Sequence, residues 1–248
     1  MDRSPKLRTV NKSIAPFELN QFPKNFAYDV GEQLIYILAT RGAADIEGKE
    51  WEAIFAKAIG ADWFPSVVGL DDVVLGNTAW GAKSILHKTP STATDIRLIS
   101  GRNDLINSFG YNVQPGKLPE EHGQLVLSIY NERISSIREK YKHVRTVVLI
   151  RQKSLLECVV YEIDAIRYDP ELFYWEWSKK GNNLYGYYKS NKKQKFTWQS
   201  GGQQFTIFET VPQSKLIINV KQPELVGKDF VLDKVGFKKD WIVITHTQ

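Results

Sequence analysis

The sequence predicts a protein of the mixed α/β (α+β) class, with a central mixed β-sheet flanked by helices. A chain of 248 residues that is 42% hydrophobic and 25% charged has the composition of a globular protein. Apolar residues recur at helical spacing early in the chain, and β-branched and aromatic runs dominate its second half. No repeat or linker divides the chain, so we expect one domain over residues 1–248. Three prolines among the first 25 residues predict an irregular N-terminal arm over residues 1–25.

Three segments have the pattern of helices. From residue 29 to 40 the apolar positions follow helical spacing. A second stripe runs over residues 46–59, and Gly60 follows it in the position that favours a helix C-terminus. Residues 123–141 repeat the helical pattern, with boundaries that the sequence does not define.

Strands are predicted from alternating or β-branched runs between turn signals. The first two lie at 67–75 and 79–86, and the pair Gly76 and Asn77 between them predicts a hairpin turn. The later strand candidates are 97–100, 146–150, 155–163, 173–177, 184–188, 203–208 and 216–220.

Several classes of protein are excluded or disfavoured. No apolar stretch approaches the roughly 18 residues of a membrane span, and the basic N-terminal residues lack the apolar segment of a secretory signal. We therefore expect a cytoplasmic protein that does not enter a membrane. The single cysteine, Cys158, excludes an intramolecular disulfide and lies in an apolar run typical of a buried strand. The sequence contains neither the GxxxxGK[ST] phosphate loop nor the GxSxG elbow of serine esterases.

The positive charge is concentrated in one aromatic segment. The formal net charge is +5, and Lys179–Lys195 contains six lysines and no acid, interleaved with tyrosines. Lysines of this kind can contact DNA phosphates, which predicts a DNA-contacting strand region over residues 165–212. The alternative is a solvated hairpin whose lysines protect an edge strand. The candidate DNA-contacting lysines are Lys189, Lys192, Lys193 and Lys195.

Two polar segments are further candidates for DNA contact. Arg102 and Asn103 follow a predicted strand, and their side chains suit guanine and adenine edges respectively. Gln199, Gln203 and Gln204 place amides on a turn between strands, beside the basic segment. A capped turn at the first site and a plain polar turn at the second remain alternative interpretations.

The most specific pattern lies between residues 47 and 86. Asp72 and Lys83 fall on the two strands of the predicted hairpin, and Glu52 lies at the edge of the inward stripe of the preceding helix. Carboxylates are the ligands that Mg²⁺ prefers, and a nearby lysine can orient water and offset charge at a phosphate. The pattern therefore predicts metal-dependent phosphodiester hydrolysis, with Asp72, Glu52 and Lys83 as catalytic residues and Asp72 and Glu52 as metal ligands.

These residues resemble the PD-(D/E)xK nuclease superfamily, and within it the type II restriction endonucleases. The matching segments are Gly48–Glu52, Gly69–Val73, Trp80–Ser84, Ile96–Asn103 and Phe196–Thr206. The resemblance implies a restriction-endonuclease-like core, Mg²⁺ as cofactor, double-stranded DNA as substrate, the 3′-oxygen as leaving group and a homodimer. Gly81 stands where the family has its second acid, and Glu52 is the first candidate to replace it, with Asp71 and Asp95 as the next.

Two alternatives follow from the departure at Gly81. One is a catalytically inactive DNA-binding module that has lost its site. The other is a structure-selective or repair nuclease with the same core. Cleavage in the presence of a divalent metal separates the first alternative from a nuclease, and a fixed cleavage sequence separates the second from a restriction enzyme.

Overall fold

The computed structural model describes residues 14–41, 45–64 and 71–245, which form two β-sheets and the helices that pack on them. The helices are α1 (Phe26–Thr40), α2 (Gly48–Ile59), α3 (Leu105–Phe109), α4 (Pro119–Lys140) and α5 (Lys228–Lys234). The strands are β1 (Asp62–Trp63), β2 (Val73–Leu75), β3 (Thr78–Leu86), β4 (Asp95–Arg102), β5 (His143–Arg151), β6 (Glu157–Asp164), β7 (Phe173–Trp177), β8 (Asn183–Tyr188), β9 (Gln194–Gln199), β10 (Gln204–Thr210) and β11 (Leu216–Asn219).

The first sheet is mixed and has the strand order β1-β2-β3-β5-β6-β11. β3 and β5 are parallel, and the other neighbours are antiparallel. The second sheet is antiparallel, with the order β4-β10-β9-β8-β7. The expected mixed α and β class is confirmed, but the prediction of one central sheet is incomplete. Strands β7 to β10 form this sheet from successive hairpins, and β4 joins it by pairing with β10, about a hundred residues later in the chain, which local sequence patterns do not record.

Most local predictions agree with the structure to within a few residues. The three predicted helices correspond to α1, α2 and α4, and Gly60 ends α2 in the left-handed region at φ +67°. The hairpin turn joins β2 to β3 as expected. The part of the first predicted strand at 67–70 lies outside the described residues. No local pattern predicted α3, α5, β1 or β9.

Three apolar clusters hold the layers together. The first fills the space between α1, α2 and one face of the mixed sheet, and it includes Trp51, Phe55 and Trp80 together with Cys158, which is buried as expected. The second packs α4 against both sheets, and the third packs β4 on β5 and β6. None of the described helices has both the length and the apolar character needed to cross a membrane.

Candidate active site

Asp72 lies one residue before β2 and is almost completely buried, with 3% of its surface exposed. Val73 pairs with Trp80 in the hairpin, and continuing that register by one residue places Asp72 opposite Gly81. Residues opposite each other on antiparallel strands share a face, so the glycine leaves this position beside the Asp72 carboxylate without a side chain. The Asp72 Oδ2 atom accepts a hydrogen bond of 3.4 Å from the backbone N–H of Ala82.

Glu52 reaches the same region from α2. Its helix neighbours Trp51 and Phe55 are fully buried against the mixed sheet, which holds Glu52 at the edge of the buried face with 8% of its surface exposed. The indole Nε1 of Trp63, on β1, donates a hydrogen bond of 3.2 Å to the Glu52 Oε2 atom. Trp63 was not identified from the sequence, because nothing local to β1 indicates a contact with α2.

Lys83 extends from β3 on the face opposite to Trp80. Because side chains alternate along a strand, Trp80 and Ala82 join the core under α1 and α2, whereas Lys83 points to the other side of the sheet. There it lines a narrow cavity between the two sheets, together with Ser100 and Ile99 of β4 and Tyr130 of α4.

The charges of these three residues act on one another. Burial, and after it the negative charge of Glu52, raise the pKa of Asp72 to about 6, and Lys83 opposes the shift. Burial also lowers the pKa of Lys83, while Asp72 and Glu52 oppose that change. The structure therefore brings together the three residues that the sequence analysis proposed as catalytic. The two other acids considered as replacements for the missing one differ in position. Asp71 slightly raises the pKa of Asp72, whereas Asp95 forms an ion pair with Lys193.

The carboxylates have the chemistry of a Mg²⁺ site. Their mutual repulsion contributes to the raised pKa of Asp72, and a divalent cation between them would relieve it. Mg²⁺ in proteins commonly takes one or two carboxylates and completes its coordination with water and substrate phosphate. Among residues 14–41, 45–64 and 71–245 no group of three or more His, Cys, Asp or Glu side chains is arranged to hold a metal. The carboxylates that this region offers a metal ion are those of Asp72 and Glu52, with Asp71 next to Asp72 in the chain.

The candidate DNA-contacting residues fall at two opposite ends of the antiparallel sheet. Arg102, Gln199, Gln203 and Gln204 lie at the end where β4 and β9 finish, which we call the near end. Lys189, Lys192 and Lys193 lie in the β8–β9 turn at the other end, which we call the far end. Lys193 is paired there with Asp95 at 2.8 Å.

Three of the candidate DNA-contacting side chains form hydrogen bonds or an ion pair with other residues of the chain. The Asn103 amide is buried and donates to the carbonyl of Val126 at 2.8 Å. The Lys195 ammonium is also buried, pairs with Glu209 at 2.8 Å and lies over the Tyr168 ring. The Gln203 Oε1 atom accepts the backbone N–H of Leu105 at the start of α3. We therefore do not assign a DNA contact to the side chains of Asn103 and Lys195.

Arg133 of α4 links the near end to the cavity that Lys83 lines. Its guanidinium donates to the carbonyls of Ser100 and Arg102, at 2.8 and 3.0 Å, and to the Asn103 side chain. Its positive charge also contributes to the lowered pKa of Lys83. Nothing in the sequence distinguished this arginine from a surface helix residue.

Comparison of the chain with protein-family models, with curated proteins and with solved structures gives no match.

Proposed function

We propose that this protein is a Mg²⁺-dependent type II restriction endonuclease that hydrolyses phosphodiester bonds of double-stranded DNA at specific sequences. The proposal depends most on one observation. Asp72 and Lys83 of the hairpin region and Glu52 of the preceding helix lie close enough for their charges to shift the pKa values of Asp72 and Lys83. Two carboxylates beside a lysine are the set expected of the PD-(D/E)xK superfamily. In this proposal Glu52 supplies the acid that Gly81 lacks.

Each residue has a distinct role in the proposed reaction. Asp72 and Glu52 would hold Mg²⁺, which when bound stabilises negative charge that develops on the scissile phosphate. Lys83 positions the attacking water, and its lowered pKa makes the neutral amine that can accept the water's proton more accessible. A bond forms between the water oxygen and phosphorus, and the bond from phosphorus to the 3′-oxygen breaks, which leaves a 5′-phosphate and a 3′-hydroxyl.

The assembly proposed for this activity is a homodimer. One such site cuts one strand, so cutting both strands of a symmetric sequence requires two sites related by a two-fold axis. The same reasoning makes the duplex, rather than a single strand, the expected substrate.

The test is a cleavage assay with three matched proteins. Wild type, Lys83→Ala and Lys57→Ala are incubated with plasmid and phage DNA in Mg²⁺ or in EDTA. Lys57 is an exposed lysine on the outer side of α2, the helix that carries Glu52, and serves as the control. We expect discrete fragments from wild type and Lys57→Ala in Mg²⁺ alone, and a rate at least about 100-fold lower from Lys83→Ala.

Other results would support the alternatives. A smear of products would indicate a structure-selective or repair nuclease. DNA that is bound but uncut at all metal concentrations would indicate an inactive DNA-binding module.

A further inference from the structure

The basic segment Lys179–Lys195 is folded back on itself, so its lysines do not form one surface. Lys179 and Lys180 lie in the β7–β8 turn at the near end, and Lys189 and Lys192 lie in the β8–β9 turn at the far end. β8 has six residues between these turns, which separates the two pairs by about 20 Å at 3.3 Å per residue. A single short stretch of DNA backbone beside the active site cannot contact both pairs equally.

The loops of the near end are joined by hydrogen bonds. The indole of Trp177 donates to the carbonyl of Lys117 at 2.7 Å, which ties the β7–β8 turn to the loop before α4. The Ser200 backbone N–H donates to the carbonyl of Asn182 at 3.1 Å, and that of Asn103 donates to the carbonyl of Gln203 at 2.8 Å. The β7–β8 turn, the β9–β10 turn, the loop before α4 and the end of β4 therefore form one connected surface.

This surface presents exposed cations that form no ion pair with any described residue. Lys117, Lys179, Lys180 and Arg102 are all exposed, and no carboxylate in the described part of the chain forms an ion pair with them. Four acids lie near this end: Asp104, Glu120 and Glu121 in the first turn of α4, and Glu176 on β7. The Asp104 carboxylate accepts hydrogen bonds from Asn107 at the start of α3, and the Glu120 carboxylate accepts one from the Trp175 backbone N–H. At the far end, by contrast, the charge of Lys193 is already balanced by Asp95.

The near end is also the end closer to the candidate active site. Ser100 lines the same cavity as Lys83, and Arg102 is two residues further along β4, or about 7 Å. Leu98 lines the same cavity, and Asp95, which marks the far end, is three residues before it, or about 10 Å. Arg133 connects Ser100 and Arg102 directly.

We propose that the near end is the surface that binds the phosphate backbone of duplex DNA, with Lys117, Lys179, Lys180 and Arg102 contacting phosphates next to the cleaved bond. This inference rests on the proposed function, and it states which of the two basic surfaces binds the DNA substrate. The lysines of the far end, Lys189, Lys192 and Lys193, have no part in it. The exposed lysines in the turns at the two ends of β8 thus have different roles.

A pair of double variants tests the assignment. Lys179→Ala with Lys180→Ala, and Lys189→Ala with Lys192→Ala, each remove two exposed lysines from a turn at one end of β8 and change the net charge equally. Binding to a plasmid-derived duplex is measured in EDTA by fluorescence anisotropy over a range of salt concentrations, after circular dichroism has verified folding. Cleavage in Mg²⁺ is measured in parallel.

We expect the near-end variant to bind at least about 10-fold more weakly and to lower the slope of log K against log salt by about 1 to 2, as the loss of two phosphate contacts requires. The far-end variant should bind and cut within about two-fold of wild type. Equal losses in both variants, or a loss confined to the far-end variant, would overturn the assignment while leaving the nuclease proposal intact. A wild-type protein that neither binds nor cuts duplex DNA would overturn both.

Discussion

At the scale of single residues, Asp72 carries a charge that its surroundings disfavour. Its pKa in the folded protein, about 6, is above the ordinary value of 3.8, because burial and the Glu52 carboxylate both penalise ionisation. A raised pKa in the folded state means that the folded protein binds the proton more tightly than the unfolded chain does. The stability that this proton provides is complete below about pH 4 and is lost as the pH rises through 6.

The Asp72→Asn variant should therefore be more stable than wild type in EDTA at pH 8. The expected gain is about 2 to 3 kcal/mol, from the size of the pKa shift, and it should shrink as the pH falls from 6 to 4. Urea denaturation at pH 8 and pH 4 measures this difference, with Asp164→Asn, an exposed position on β6, as the control. A variant that is less stable than wild type at pH 8 would contradict the electrostatic argument. Loss of cleavage together with a gain of stability is the pattern expected of a functional carboxylate.

At the scale of elements, the packing of α4 on β7 depends on a residue without a side chain. Gly123 lies in the second turn of α4, and a Cβ atom built there would overlap the indole ring of Trp175. That ring stacks on Phe196 with centroids 5.6 Å apart, so it cannot move without disturbing the core between helix and sheet. The glycine sets how closely the helix approaches the strand.

The Gly123→Ala substitution shows whether helix propensity or packing against Trp175 dominates at this position. Helix propensity alone predicts a gain of about 1 kcal/mol, whereas overpacking against Trp175 predicts a loss of about 1 to 3 kcal/mol. We expect the loss, measured as the free energy of unfolding in urea. Gly48→Ala is the matched control, because Gly48 begins α2 and a Cβ there meets no atom within 4 Å. Stabilisation by Gly123→Ala would show that the two elements are not held this closely.

At the scale of the whole molecule, Glu162 joins parts of the chain that are far apart in sequence. Its buried carboxylate pairs with Arg145 at 3.3 Å and accepts hydrogen bonds from the Asn20 backbone and the Trp80 indole. Arg145 in turn donates to the carbonyl of Phe17. The segment before α1 is thus bound to the mixed sheet by one carboxylate and its partner.

Replacing Glu162 with glutamine should cost about 3 kcal/mol or more, because Arg145 would keep its charge in a buried position without a counter-ion. Asp164→Asn, two residues along the same strand and exposed, should change the free energy of unfolding by less than about 0.5 kcal/mol. Both values are measured by urea denaturation at pH 7. If the two substitutions have equal effects, the ion pair does not anchor this segment.

Features that depend on neighbouring residues could be predicted from the sequence alone. The α1 and α2 stripes, Gly60 at a helix end and the Gly76–Asn77 turn were all predictable, because helical spacing and turn chemistry act over a few residues. The same local reasoning placed Asp72 and Lys83 on paired strands and Glu52 at the edge of the inward face. Those predictions were sufficient to propose the site before its geometry was known.

Contacts between residues far apart in the chain required the tertiary structure. β4 pairs with β10, about a hundred residues later, and Asn103 is buried against Val126 of α4. Strand β8 places the lysines of one basic segment at opposite ends of the sheet, and Lys195 is buried against Glu209 of the neighbouring strand. Arg133 and Trp63 entered the site for the same reason, through contacts between elements that no local pattern connects. Burial and charge pairing are properties of the packed layers, and a residue's type does not reveal which layer will cover it.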